Sequence, residues 1–373
     1  MTDDNITRRT VLGGLGALGV GAAMSGTGAL AYLHDSESTS SSVTAGTLDL
    51  EITWDEYYNG ERVDGEPDGD HPGPVFDLPD VKPGDHGEAT ICLSIDGNPG
   101  YVFMGGELTE NSEGDRPEPE RKVDDTPDVG ELADDIWARV WYDGVEGEDD
   151  GGNNEYDDGE VQIAAGTLSE VLDELSNGIR LADQTSSNAF HDDCTQLGDQ
   201  RNEVPKVGET MGDGKVEFTG LYKEGGSVVG FDWESDVPIC KIEVDGGNET
   251  ETTTYDCETS GTAYAPLQPQ NQNRTRYPVT HVRVYECAED DGDGDGDGGD
   301  GWEPDTTQCL GFQWHLPADV GNEIQGDEVA FDLKFYAEQT RHNDDPDNPY
   351  GGDDGDESDS TTSSTTTTTS DGD

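Results

Sequence analysis

Period-two alternation of apolar residues recurs at both ends of this chain and restricts it to β architecture. "GTLDLEITW" sets Leu48, Leu50 and Ile52 on one face, and "EATICLSI" sets Ile91, Leu93 and Ile95 on one face with Cys92 opposite. "DIWARVWYD" carries Ile136, Ala138, Val140 and Tyr142 opposite Trp137 and Trp141, which predicts a strand covered on both faces. Near the other end, "CLGFQWHLP" alternates Leu310, Phe312, Trp314 and Leu316, and "EVAFDLKFYAEQ" alternates Val329, Phe331, Leu333 and Phe335. "GNEIQGDE" between them reads as a hairpin turn. Core strands drawn from both ends predict a closing sandwich.

One helix interrupts the pattern. "TLSEVLDELSNG" opens with Thr167 and Glu170 in capping-box spacing. Leu168, Val171, Leu172 and Leu175 form its apolar stripe, and Gly178 supplies the stop. A lone helix among strands covers the end or an edge of a sheet.

Composition enters as an objection. The 86 acidic side chains against 19 basic ones give a formal charge of −67, which by charge and hydrophobicity alone reads as disorder. At roughly 3 M salt, however, the Debye length is below about 3 Å, and neighbouring carboxylates barely repel. With strand patterns intact, the composition reads as adaptation to extreme salinity, with loss of the fold expected in low salt. The same charge argues against nucleic acid and anionic membranes as partners.

The first residues read as an export signal. Arg8 and Arg9 in "TRRTVLGG" precede a Gly-interrupted apolar run from Val11 to Leu33, the twin-arginine pattern. Ala29-Leu30-Ala31 gives small-x-small cleavage spacing, so the mature chain would begin at Tyr32, outside the cell and free of the membrane. An uncleaved anchor is the rival, since the run is long enough to span a bilayer. Six cysteines, Cys92, Cys194, Cys240, Cys257, Cys287 and Cys309, suit an oxidising exterior. Their pairing is not fixed by sequence, although four of them between 194 and 287 point to a local staple there. Zinc spacing is absent.

The reading divides the chain into a signal (1–31), a first sandwich part (32–183), an inserted β-module (184–287), an acidic linker (288–301), final sandwich strands (302–343) and an acidic, Thr-rich tail (344–373). The module carries the strand-like runs "KVEFTGLY", "ICKIEVDG" and "VTHVRVYEC". In the linker, Asp291, Asp293, Asp295, Asp297 and Asp300 offer hard oxygens that suit calcium. The twelfth position of an EF-hand frame fails from Asp291 and Asp293, and a solvated linker is the competing reading. Asn248 and Asn273 head sequons in polar turns, where a glycan can attach.

With these stretches in hand, the chain resembles the TasA/camelysin family of exported proteins, as found in halophilic archaea and carrying the SipW-dependent type of signal. The matching stretches are "AYLHDSEST", "TAGTLDLEI", "LPDVKPGDHGEATICLSI", "NPGYVFMGGELTENSEG", "GELADDIWARVWYD" and "DVGNEIQGDEVAFDLKFYAEQTRHN". The resemblance implies an all-β, jelly-roll-like β-sandwich with one or two helices and an inserted small β-module. It also implies a secreted, non-enzymatic structural protein of an extracellular fibre or biofilm matrix, whose partner is a further copy of itself. Assembly would proceed by donation of the strand after Tyr32, next to matrix or cell surface. Two alternatives stay open: a monomeric secreted binding module for glycan or calcium, and a camelysin-like metallopeptidase. For the latter, none of the seven histidines falls in an HExxH pair, and no cofactor other than calcium is expected.

Overall fold

Alternation becomes burial in two facing sheets. A computed structural model describes residues 29–35, 48–63, 76–78, 80–114, 117–123, 126, 129–145, 152–157, 159–185, 194–201, 204–268, 274–288, 301–341, 343, 346 and 348–351. In chain order the strands begin with β1 (Ala29–Asp35), β2 (Leu48–Tyr58), β3 (Glu61–Arg62), β4 (Asp77–Leu78), β5 (His86–Gly97) and β6 (Gly100–Ser112). A short helix α1 (Leu132–Asp135) leads into β7 (Trp137–Val145), β8 (Gln162–Thr167), helix α2 (Leu168–Ser176) and β9 (Ile179–Leu181). Next come β10 (Cys194–Arg201), β11 (Thr210–Met211), β12 (Val216–Glu224), β13 (Ser227–Gly246), β14 (Glu249–Tyr264) and β15 (Val279–Cys287). The strands β16 (Thr306–His315) and β17 (Glu328–Gln339) follow.

One sheet runs β3-β2-β5-β16-β7-β8 and the facing one β4-β1-β17-β6-β9. The predicted inward residues Ile91, Leu93, Ile95, Val140, Leu310, Phe312, Leu333 and Phe335 are buried together between them. Successive strands β5 and β6, and again β16 and β17, lie in opposite sheets, which gives the jelly-roll-like sandwich. This corrects one expectation: "GNEIQGDE" is no hairpin. Both flanking strands bury their apolar faces into the same core from opposite sides, so the connection arches between sheets.

The helix forms as its sequence dictates. Thr167 accepts from the Glu170 backbone N–H, and the Glu170 carboxylate accepts from Thr167 N–H, completing the capping box. Leu168, Val171, Leu172 and Leu175 are buried, and Gly178 follows with φ +73°. The helix packs on β6, where a Cβ at Gly106 would sit 2.8 Å from Leu175 Cβ; the missing side chain lets the helix approach.

The third sheet, β10-β15-β13-β12-β11 with β14 on β13, is made wholly of strands between 194 and 287. It has its own core around Phe218, Phe231, Trp233, Tyr255, Val282 and Val284. It docks on the outer face of the first sheet, where Tyr222, Val229 and Tyr264 pack with Ala165 and Trp137. Gln162 Nε2 donates to Thr262 O at 3.0 Å and Thr262 Oγ1 to Ala165 O at 2.7 Å across this junction. That docking is why the Trp137/Trp141 face of β7 is covered. Past the acidic segment, Trp302 returns the chain to the sandwich fully buried, its indole N–H donating to Ala182 O at 3.1 Å.

Candidate functional site

The edge built by β1 is where the predicted donor segment falls. Ala31, Tyr32, Leu33, His34 and Asp35 pair in register with Phe331, Asp332, Leu333, Lys334 and Phe335. This pairing is parallel, whereas every other pairing between named strands is antiparallel. On its other side, among the described residues, β1 meets only the two-residue β4, through Ala29↔Leu78 and Leu30↔Asp77. Beside it, between the sheets, opens a groove of about 900 Å³ with an apolar wall of Phe76, Leu132, Ile136, Phe312, Trp314 and Phe331. Phe331 belongs to both features, since its backbone pairs with Ala31 and its side chain lines the groove. A strand-shaped apolar ligand is what such an edge and groove can hold.

The predicted processing point, Ala31 and Tyr32, lies inside β1, and Arg8 and Arg9 lie outside the described residues. The cysteines pair as Cys92–Cys309, Cys194–Cys240 and Cys257–Cys287. The first joins directly opposite residues of β5 and β16; the other two staple the inserted sheet. Such a set of disulfides is consistent with an extracellular, oxidising setting. Asn248 sits exposed in the β13–β14 turn. Asn273 and the linker residues Asp291, Asp293, Asp295, Asp297 and Asp300 lie outside the described residues. No helix among the described residues is long and apolar enough to cross a membrane.

Sequence reasoning missed two carboxylate clusters, because with 86 acidic residues nearly every carboxylate has a neighbour and no spacing marks these. Glu113, Glu120 and Asp327 bring their carboxylate oxygens within 4.8 Å of one another, with Glu120 fully buried. Under the outer face of the first sheet, Asp143 accepts from Thr90 Oγ1 at 2.8 Å and from Asn154 N–H at 3.2 Å. Burial pushes Asp143 up to about 6, against these hydrogen bonds. Burial, with the Asp143 and Asp157 charges, pushes Glu160 up to about 8. Glu160 therefore holds its proton at neutral pH.

Neither a protein-family model nor a curated protein matches the chain.

Proposed function

We propose that this protein is a secreted, non-enzymatic structural subunit, exported by the twin-arginine route, that joins copies of itself into an extracellular fibre or matrix by exchanging its N-terminal strand. The observation that carries the reading is the parallel pairing of Ala31–Asp35 with Phe331–Phe335 beside an apolar groove. A strand held to its sheet on one long side, and tethered only at its C-terminal end once cleaved, can serve a neighbour's β17 as well as its own. Cleavage after Ala31 would remove Ala29 and Leu30, the two residues that pair with β4. The mature strand would then keep only its contact with β17, which favours release.

Head-to-tail exchange of this kind does not close on itself and extends into filaments. The large negative charge opposes contact between copies in dilute salt, and multimolar salt screens it. Further support comes from the disulfides, which suit the exterior, and from the sequence resemblance. A glycan at exposed Asn248 fits the same setting.

The test is negative-stain electron microscopy in near-saturated salt, comparing protein that begins at Tyr32 with protein that begins at Val43. Filaments from the first and none from the second are expected. Monodisperse particles from both at high concentration would overturn the proposal.

A further inference from the structure

Basic side chains are scarce here, yet three arginines gather where the inserted sheet docks on the sandwich. Arg139 projects from the outer face of β7, and Arg274 and Arg276 come from the connection between β14 and β15. Together with Tyr264, Gln313 and His315 they line a cavity of about 30 Å³ whose wall includes no carboxylate. In a chain with 86 acidic residues, that wall is built against the trend of the composition.

The polar groups of this wall are incompletely satisfied. Arg139 is 3% exposed; its Nη1 lies 3.1 Å from Glu251 Oε1, while its Nε and Nη2 have no hydrogen-bond partner among the described residues. The Tyr264 hydroxyl and both His315 ring nitrogens are likewise buried without a partner there. Burial depresses His315 to about 3, with Arg276 adding to the effect, so the imidazole is neutral and one of its nitrogens carries a proton to donate. A buried guanidinium with idle N–H groups is costly, and groups of this kind are ordinarily met by a ligand or water.

The surroundings of the cavity decide between those two. Arg139 pairs with Glu251, and Arg274 with Glu88. Arg276 Nη1 donates to Ala265 O at 2.6 Å and lies 3.7 Å from the same Glu251, its guanidinium 4.7 Å over the Tyr264 ring. Glu224 accepts from the Arg276 backbone N–H at 2.9 Å and stands 3.9 Å from His315 Nε2, and burial pushes its pKa up. Three carboxylates and three guanidiniums thus surround the cavity, but the carboxylates stand behind its wall, and the idle groups on that wall include four donors: Arg139 Nε and Nη2, the Tyr264 hydroxyl and one His315 nitrogen. An ion that only accepts matches them, whereas a water must also find acceptors for its own two hydrogens. At about 30 Å³ the cavity exceeds the roughly 10–15 Å³ of such space that one water needs, so it has room for a monatomic anion.

We infer that the junction of the sandwich and the inserted sheet is a halide site, in which one chloride held by Arg139, Arg274 and Arg276 ties the two units together. The inference is independent of strand exchange, because the cavity lies on the opposite face of the first sheet from the sandwich core. Chloride then acts as a specific ligand, beyond its role in screening.

Crystals of the full mature protein transferred from sodium chloride to sodium bromide test this without any variant. An anomalous difference peak in the cavity within hydrogen-bond distance of Arg139 is expected. Absence of that peak, with only water there, overturns the inference. In solution, wild-type Tm is expected to be higher in sodium chloride than in sodium gluconate at equal ionic strength, and Arg274→Gln is expected to lose most of that difference. A bromide peak that persists undiminished in Arg274→Gln crystals would overturn the assignment of the arginines as its ligands.

Discussion

Cys92 and Cys309 stand directly opposite one another on β5 and β16, and their disulfide closes a loop of 217 residues around the whole inserted sheet. A crosslink of that span restricts the unfolded chain more than the module's own bridges, which span 46 and 30 residues. Replacing Cys92 and Cys309 with Ala is expected to lower unfolding free energy by about 3–5 kcal/mol. Replacing Cys257 and Cys287 should cost less. Denaturant titration in high salt measures both, and an equal or reversed order would show that strain or residual structure outweighs loop length.

Gly311, at the centre of β16, pairs with Trp141 of β7, and a Cβ there would collide with the Trp141 indole. Trp141 is fully buried, packed edge-on against Tyr156 at 5.8 Å, so it has nowhere to retreat. Gly311→Ala is therefore expected to destabilise by about 1–3 kcal/mol, the range typical of overpacking. A thermal unfolding curve unchanged from wild type would mean that the indole swings freely.

This pair also marks where the sequence stopped being informative. Apolar alternation identified β5, β7, β16 and β17, because one face of each meets a core that tolerates only apolar side chains. Capping-box spacing identified α2 for an equally local reason. Strand β14, "ETETTTYDCETSGTAY", escaped notice because threonines and glutamates occupy most of it, and only Thr253, Tyr255 and its last residues are buried. The arginine cavity was invisible for another reason. Arg139 stands at an outward position of β7, where a charge ordinarily faces water, and only docking of residues more than a hundred positions away buries it. The β16–β17 turn was misread because alternation reports which face of a strand is buried and not which sheet the strand joins.

Glu160 supplies a pH dependence whose sign follows from its environment. Burial, with Asp143 and Asp157 beside it, raises its pKa from an ordinary 4.5 to about 8. The folded chain therefore holds a proton that the unfolded chain has released between those values, and stability falls as pH rises across that window. Above about 8 the penalty is complete. Glu160→Gln removes it, so the variant should melt higher than wild type at pH 9 and nearly alike at pH 4.5. Asp143 at about 6, raised mainly by burial, slopes the same way. The diagnostic quantity is thus the difference between variant and wild type, and a difference flat with pH would contradict the assignment.

Leu33 and Leu333 are register partners across β1 and β17, and their pairing offers a direct reading of who donates to whom. Cα atoms of neighbouring strands lie about 5 Å apart, within the span a disulfide bridges. Leu33→Cys combined with Leu333→Cys, oxidised under assembly conditions, should give a ladder of covalent multimers on a non-reducing gel if each chain's β1 serves the next copy. Oxidised in dilute solution before assembly, the same variant should run as a monomer, because its own β1 then occupies the edge. Each single variant controls for stray pairing through the native cysteines. Monomer bands under both conditions would leave β1 as a strand of its own sandwich alone and remove the basis for exchange.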